Sequence, residues 1–297
     1  MQDPDIAGGG LHSGDILKPV ILGIEGQSLT PRERELFLTH KPRGVILFAR
    51  NIQDKAQLAA LTADLTTALP EGAVLMVDQE GGRVARLKPP HWPALPAAGL
   101  LKTPEEAFAH GQALGRMLRE AGLTCTAAPV LDLCIPGASN VVGDRAISGD
   151  AETVGRLGGE IARGILSEGI LPVMKHLPGH GRALVDSHIT LPRVPELTED
   201  DLAPFIANNK LPWAMTAHVV YEQYDPVHPG TLSSIVIREL IRERIGFKGI
   251  LVSDDLAMGA LSGPPTARAQ RALQAGCDIA LYCPGDFAGN RAILESL

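Results

Sequence analysis

Short, continuous runs of apolar residues recur along the chain, and longer segments with helical periodicity separate them. The runs are unbroken rather than alternating, which is typical of parallel strands that are buried on both faces. Eight strands are therefore predicted, at residues 19–26, 44–50, 73–82, 124–133, 171–179, 212–220, 249–258 and 277–285.

The segments between the runs carry the start and stop signals of helices. Thr30 is a predicted N-cap, and Pro31 occupies the first helical position after it. Thr103 and Pro104 open a later helix in the same way, and Gly122 ends it. Eight helices are predicted, at about residues 31–40, 55–69, 103–122, 151–169, 197–209, 233–246, 264–275 and 286–296.

Eight strands that alternate with eight helices in 297 residues predict the α/β class and a (β/α)8 TIM barrel. The open doubly wound sheet is the alternative fold, but it normally carries the pattern G-x-G-x-x-G after its first strand. The sequence GIEGQS at residues 23–28 does not match that pattern. We expect a single catalytic barrel over residues 17–297, preceded by a flexible, glycine-rich leader at residues 1–16.

Charge and cysteine content narrow the class of protein. A formal net charge of −7 argues against nucleic acid or an anionic membrane as a partner. The sequence contains no secretory signal and no apolar run of the ~20 residues that a membrane helix needs. The four cysteines form no C-x-x-C pair, so we expect a reduced, cytoplasmic protein without a metal site. We also expect it to be a monomer.

Polar side chains follow five of the predicted strands, at the ends where a TIM barrel carries its active site. An isolated carboxylate at such a place is usually a helix cap or a solvated loop residue. Lys175 and His176 are different, because they lie inside an apolar run and would be costly to bury without partners. The polar groups at the five strand ends are Asp78 with Arg86, Asp144 with Arg145, Lys175 with His176 and the Asp186-Ser187-His188 segment, His218, and Asp254 with Asp255.

This set of residues suits a retaining glycosidase. Such an enzyme needs a carboxylate nucleophile below the anomeric carbon and a second group that protonates the leaving oxygen. Asp254 is the candidate nucleophile, and His188, supported by Asp186, is the candidate acid. The sugar hydroxyls would be held by the remaining polar set, namely Asp78, Arg86, Arg145, Lys175 and His176.

Three alternatives remain at this point. A metal hydrolase could use His176, His180, His188 and His218 as ligands, although Pro178 and Gly179 forbid the helix that an H-x3-H pair normally occupies. A Schiff-base lyase could use Lys175, but it would leave the Asp-Ser-His segment without a role. A sugar-binding barrel without catalysis would need the same hydroxyl-binding residues.

The segment KHLPGHG, followed by DSH and a later Pro, resembles the signature of bacterial family 3 glycoside hydrolases, specifically the β-N-acetylglucosaminidases. GVILFARN, DQEGGRVARL, GDRAIS and VSDDLAM match in the same order, so the resemblance spans residues 20–285. It implies a TIM barrel, a covalent glycosyl-enzyme on Asp254 and an Asp186–His188 acid/base pair. It implies no metal or organic cofactor, and sugar contacts at the positions of Asp78, Arg86, Arg145, Lys175 and His176.

The resemblance also implies the substrate, a small carbohydrate with a terminal β-linked N-acetylglucosamine (GlcNAc). In Gram-negative bacteria this is GlcNAc-1,6-anhydro-N-acetylmuramic acid, with or without its peptide, during cell-wall recycling. Two positions depart from the family pattern: Leu177 replaces a phenylalanine, and residues 146–148 read A-I-S instead of S-F-G. The second domain of many Gram-positive relatives is not expected here. The sequence leaves open whether the bond is broken by water or by phosphate.

Overall fold

The computed structural model describes residues 17–187 and 189–297. The predicted leader, residues 1–16, and the candidate acid His188 lie outside the described residues. The described chain contains ten strands: β1 (Lys18–Gly23), β2 (Pro42–Leu47), β3 (Val74–Val77), β4 (Cys125–Thr126), β5 (Leu171–Leu177), β6 (Arg193–Val194), β7 (Trp213–Thr216), β8 (Val220–Tyr221), β9 (Ile250–Asp255) and β10 (Ile279–Tyr282).

The same described residues contain seven α-helices and one π-helix. They are α1 (Pro31–His40), α2 (Lys55–Ala68), α3 (Pro104–Glu120), α4 (Ala151–Ser167), α5 (Glu199–Ala207), the π-helix Val236–Arg244, α6 (Pro265–Ala275) and α7 (Phe287–Ser296). Eight strands form a closed barrel in the order β1-β10-β9-β7-β5-β4-β3-β2, and every adjacent pair is parallel. The predicted (β/α)8 barrel is confirmed.

The predicted helix caps form as the sequence indicates. The Thr30 hydroxyl accepts the backbone N–H of Glu33, and the Glu33 carboxylate accepts the backbone N–H of Thr30. Thr103 and Glu106 form the same reciprocal pair at the start of α3. Each pair satisfies two backbone donors that a helix start would otherwise leave without partners.

The fourth predicted strand is much shorter than its apolar run. Only Cys125 and Thr126 pair with both neighbouring strands. Pro129 has no backbone N–H, so a regular ladder cannot continue through it. The run instead follows β5 through separate bonds, in which the Lys175 N–H donates to the Pro129 carbonyl over 3.0 Å and the Leu131 N–H donates to the Lys175 carbonyl over 2.8 Å.

Two apolar layers hold the barrel together. Side chains that alternate along the strands, such as Ile21, Met76 and Val252, fill the interior. Their neighbours, such as Val20 and Leu22, pack outward against the helices. The filled interior leaves the carboxyl ends of the strands as the place for polar groups. No helix in the described residues is long and apolar enough to cross a membrane.

A small sheet outside the barrel was not predicted. Strands β6 and β8 pair in parallel, with Arg193 opposite Val220 and Val194 opposite Tyr221. The pairing joins the end of the segment that follows β5 to the segment that follows β7. It therefore fixes the far end of the loop in which Asp186 and Ser187 lie.

Candidate active site

A cavity of about 530 Å³ opens at the carboxyl ends of the barrel strands. Its volume falls within the range of about 300–1,000 Å³ that is common for small-molecule sites. Seven of the eight predicted site residues line it: Asp78, Arg86, Arg145, Lys175, His176, Asp186 and Asp254. The structure thus brings predicted residues from four of the five strand ends or their following loops to one place, and His218, from the fifth, does not line the cavity.

Lys175 lies at the centre of a buried ion cluster on one wall. Its ammonium is 2.9 Å from the Asp78 carboxylate and 2.6 Å from that of Glu80. Burial alone would raise the pKa of Asp78, but Lys175 and Arg86 outweigh it and hold that pKa well below its usual range. Burial alone would lower the pKa of Lys175, and the two carboxylates instead raise it. Asp78 and Lys175 are therefore both ionised at neutral pH.

Glu80 belongs to the site although the sequence interpretation did not single it out. Its carboxylate binds Arg145 through two hydrogen bonds, of 2.9 Å to Nε and 2.8 Å to the terminal nitrogen. Its side chain is only 6% exposed and does not line the cavity. Glu80 therefore supports Arg145 and Lys175 from behind. The available signal was the requirement of a lysine inside an apolar run for carboxylate partners.

Asp132 is a second buried carboxylate of the site, and the sequence had suggested only a structural role for it. Its fully buried carboxylate is 2.6 Å from Nδ1 of His176 and accepts the backbone N–H of His180 over 2.6 Å. Burial opposes ionisation of Asp132, but the His176 contact and the backbone donor lower its pKa overall. Asp132 thus fixes the orientation of the His176 ring and the backbone beyond it.

Asp254 lies at the end of β9 and is half-buried in the cavity wall. Its backbone N–H donates to the Thr216 hydroxyl over 3.2 Å, and its carboxylate accepts the Asp255 N–H over 2.8 Å. Burial would raise the pKa of Asp254, but His218, His176 and Lys175 lower it overall. The carboxylate is therefore ionised and able to act as a nucleophile.

His218 and Asp255 fix the segment that follows Asp254, and Asp255 also lines the cavity. Nδ1 of His218 is 2.8 Å from the Thr231 hydroxyl, and Nε2 is 2.9 Å from the Asp255 carbonyl. The Asp255 carboxylate accepts the backbone N–H groups of Ala257 and Cys283, so it ties the loop after β9 to β10. Asp255 is not a cap of the next helix, because α6 begins only at Pro265.

The contacts of the histidines and of Lys175 weaken two of the alternative chemistries. His218 already uses both ring nitrogens, for the Thr231 hydroxyl and the Asp255 carbonyl, whereas His176 uses only Nδ1, for Asp132. No group of three His, Cys, Asp or Glu side chains within residues 17–187 and 189–297 could hold a metal ion. Lys175 is held as an ammonium by two carboxylates, whereas a Schiff-base lysine must lose its proton.

The segment that carries the predicted acid/base pair borders the same cavity. Asp186 and Ser187 both line it, and His188 follows directly in sequence. The Asp186 carbonyl accepts the backbone N–H groups of Ile189 and Thr190, at 3.0 and 2.9 Å. The chain therefore turns at the cavity edge directly after Asp186, whose carbonyl is bonded to both Ile189 and Thr190.

Sequence comparison places the chain among proteins of one family. The Glycosyl hydrolase family 3 N terminal domain matches residues 21–297. A β-hexosaminidase from Alkalilimnicola ehrlichii is 40% identical over 285 residues, which cover 90% of this chain and 81% of that protein. A β-hexosaminidase from Psychromonas ingrahamii is 38% identical over 297 residues, which cover 95% of this chain and 87% of that protein.

Solved structures agree with the sequence relatives. NagZ from Neisseria gonorrhoeae, in complex with N-trifluoroacetyl-D-glucosamine, is 32% identical with a TM-score of 0.83, covering 94% of this chain and 89% of that one. A family 3 β-N-acetylglucosaminidase from Paenibacillus sp. str. FPU-7 is 35% identical with a TM-score of 0.87. The match covers 94% of this chain and only 56% of the Paenibacillus chain. The chain belongs to glycosyl hydrolase family 3 and is a glycoside hydrolase of the β-hexosaminidase type.

Proposed function

We propose that the protein is a retaining exo-β-N-acetylglucosaminidase. Its substrate would be the terminal β-linked GlcNAc of GlcNAc-1,6-anhydro-N-acetylmuramic acid, with or without the peptide, in cytoplasmic cell-wall recycling by a monomer. The observation that carries the proposal is the single cavity that Asp254, the Lys175 cluster and the Asp186 turn line together. The Neisseria structure, which holds an N-acylated glucosamine, supports the choice of sugar.

In the first step the Asp254 carboxylate attacks the anomeric carbon. A bond forms between its oxygen and C1 while the bond from C1 to the leaving oxygen breaks. His188 gives its proton to that oxygen, and the Asp186 carboxylate stabilises the charged imidazole. His218, His176 and Lys175 lower the pKa of Asp254, and the resulting ionised carboxylate is suited to this role.

In the second step a water molecule attacks C1 of the glycosyl-enzyme, and His188 takes its proton. The bond between C1 and Asp254 breaks, which returns the carboxylate to its starting state. Two inversions at one carbon leave the product with the β configuration of the substrate.

The cluster around Lys175 would hold the sugar ring during both steps. Asp78 accepts hydrogen bonds, while Arg86, Arg145 and Lys175 donate them, so vicinal hydroxyls find matched partners. The departure at residues 146–148 does not alter this wall directly. Ala146 and Ile147 are buried and do not line the cavity, whereas the neighbouring Arg145 does.

The proposal is tested by analysing the products formed from GlcNAc-1,6-anhydro-N-acetylmuramic acid, with and without phosphate. We expect free GlcNAc whose first-formed anomer is β, and no sugar phosphate in either buffer. Asp254→Asn should abolish turnover, whereas Asp64→Asn, in an exposed pair with Arg34, should leave it unchanged. An active Asp254→Asn enzyme or an α anomer as first product would contradict the mechanism. Formation of a sugar phosphate would show that phosphate, and not water, accepts the sugar in the second step.

A further inference from the structure

Ser187 lies between the two residues proposed as the acid/base pair, and its side chain is joined to the barrel by His180. Nε2 of His180 is 3.1 Å from the Ser187 hydroxyl, and both side chains are buried. We propose that His180 is a positioning residue that holds the turn carrying Asp186 and His188 at the cavity through this hydrogen bond. The inference rests on the proposed function, because it requires that this pair transfers the proton.

The backbone of His180 is itself firmly held. Its N–H donates over 2.6 Å to the Asp132 carboxylate, whose other oxygen contacts His176 over 2.6 Å. The His176 and His180 rings meet edge to face, with centroids 5.7 Å apart. One buried carboxylate thus sets the position of a sugar-binding histidine and of the histidine that contacts the turn.

The residues on either side of His180 add to this rigidity. The Tyr221 hydroxyl donates to the Gly179 carbonyl over 2.9 Å. A Cβ atom at Gly181 would lie 2.4 Å from the Leu133 carbonyl oxygen, so the backbone packs there more closely than any other residue allows. The backbone at His180 is therefore rigid, so its side chain can hold the turn after Asp186 in one position.

The protonation state of His180 suits a neutral hydrogen bond. Burial and the neighbouring His176 ring lower the pKa of His180 to about 4, so the ring is neutral at pH 7. Its Nδ1 atom is buried and has no hydrogen-bond partner among the described residues. Since buried N–H groups without partners are rare, the single proton belongs on Nε2, which donates it to Ser187.

Loss of this bond would act on proton transfer and not on sugar binding. The contact lies on the turn side of the cavity, and neither partner belongs to the ion cluster that surrounds Lys175. A misplacement of about 1 Å in a reacting group can cost about 100-fold in rate. The penalty should be largest for substrates whose leaving oxygen needs the proton and small for strongly activated phenols.

The test compares two substrates, GlcNAc-1,6-anhydro-N-acetylmuramic acid and 2,4-dinitrophenyl β-GlcNAc. Ser187→Ala and His180→Leu should lower kcat/KM about 10-fold to 100-fold on the first substrate and less than about 3-fold on the second. His180→Gln, which keeps a donor near the place of Nε2, should restore most of the loss. Ser233→Ala removes an equally buried hydroxyl, 2.7 Å from Asp225, and should leave the ratio of the two rates unchanged.

Asp186→Asn, measured beside these variants, distinguishes a failure of the proposed acid/base pair from a failure of the proposed positioning role of His180. If Asp186→Asn shows the leaving-group-dependent loss and Ser187→Ala does not, the positioning role of His180 is wrong and the acid/base pair stands. If neither variant shows it, the acid/base pair and the positioning role are both overturned. Equal losses of Ser187→Ala on the two substrates would also overturn the positioning role, because they indicate damage to the whole site.

Discussion

Glu80 offers a sharp test of how the ion cluster is built, because a glutamine there preserves size and removes charge. One carboxylate oxygen of Glu80 contacts both Lys175 and Arg145, at 2.6 and 2.8 Å, and the other contacts Arg145 at 2.9 Å. A glutamine has only one accepting oxygen, so its amide N–H groups must face a cation. In Glu80→Gln both cations lose the compensating charge, and if the oxygen stays between them the amide N–H group faces Nε of Arg145.

The size of the effect follows from burial. Removal of one partner from a buried pair typically costs about 3–5 kcal/mol, because the remaining charge is left without compensation. Lys175 keeps the Asp78 carboxylate at 2.9 Å, so we expect the lower end of that range, about 3 kcal/mol. At about 2–4 °C per kcal/mol for a large domain, the melting temperature should fall by roughly 6–12 °C.

Substrate binding should suffer as well, since Arg145 and Lys175 both line the cavity. A hydrogen bond to a charged group contributes about 1.5–3 kcal/mol, so KM for a chromogenic GlcNAc glycoside should rise about 10-fold or more. Glu295→Gln is the matched control, because Glu295 is exposed and pairs with Arg291 on the surface of α7. If Glu80→Gln melts and binds substrate as the parent protein does, the cluster does not support the site in the way described.

Further predictions concern protonation and thiols. The pKa of His180 is about 4 in the folded protein, against the usual value of 6.5, so between these pH values the unfolded chain binds more protons than the folded one. The contribution of His180 to the free energy of unfolding is therefore complete above pH 6.5 and is lost as the pH falls to 4. Between pH 7 and pH 4 the free energy of unfolding, measured with urea, should fall by about 3 kcal/mol more in the parent protein than in His180→Gln. An equal fall in the two proteins would contradict the neutrality of the His180 ring. Of the four cysteines only Cys134 is exposed, so mass spectrometry should find one thiol of the native protein labelled by iodoacetamide. Labelling of Cys283, which is buried and whose pKa burial and Asp255 raise, would contradict the burial of that side chain. Activity should survive a chelator, and activity that is lost and then restored by zinc would favour a metal hydrolase.

The fold could be predicted because its signal is local and repeated. Parallel strands with both faces buried must be apolar throughout, and each is followed by a helix with recognisable caps, as at Thr30 and Thr103. The short sheet of β6 and β8 has only two residues in each strand, so it has no periodicity that a sequence pattern could reveal. Pro129 likewise shortens the fourth strand in a way that hydrophobicity alone does not show.

The sequence could predict the site residues at the strand ends, but not the buried carboxylates that support them. Lys175 and His176 stood out because they interrupt an apolar run, but their partners are distant in sequence. Asp132 is 44 positions from His176, and Asp78 is 97 positions from Lys175. Glu80 and Asp132 have no local pattern that distinguishes them from ordinary loop carboxylates. Only the closed barrel brings Glu80 to Lys175 and Arg145, and Asp132 to His176.

The central claim is a covalent bond between the sugar and Asp254. A 5-fluoro-β-N-acetylglucosaminyl fluoride should form the glycosyl-enzyme and release it slowly, because fluorine destabilises the oxocarbenium-like transition state of the second step. After trypsin digestion, mass spectrometry should find the sugar on the peptide of residues 249–268, and fragmentation should place it on Asp254 and not on Asp255. A label on any other residue, or full turnover without a trapped species, would contradict the account.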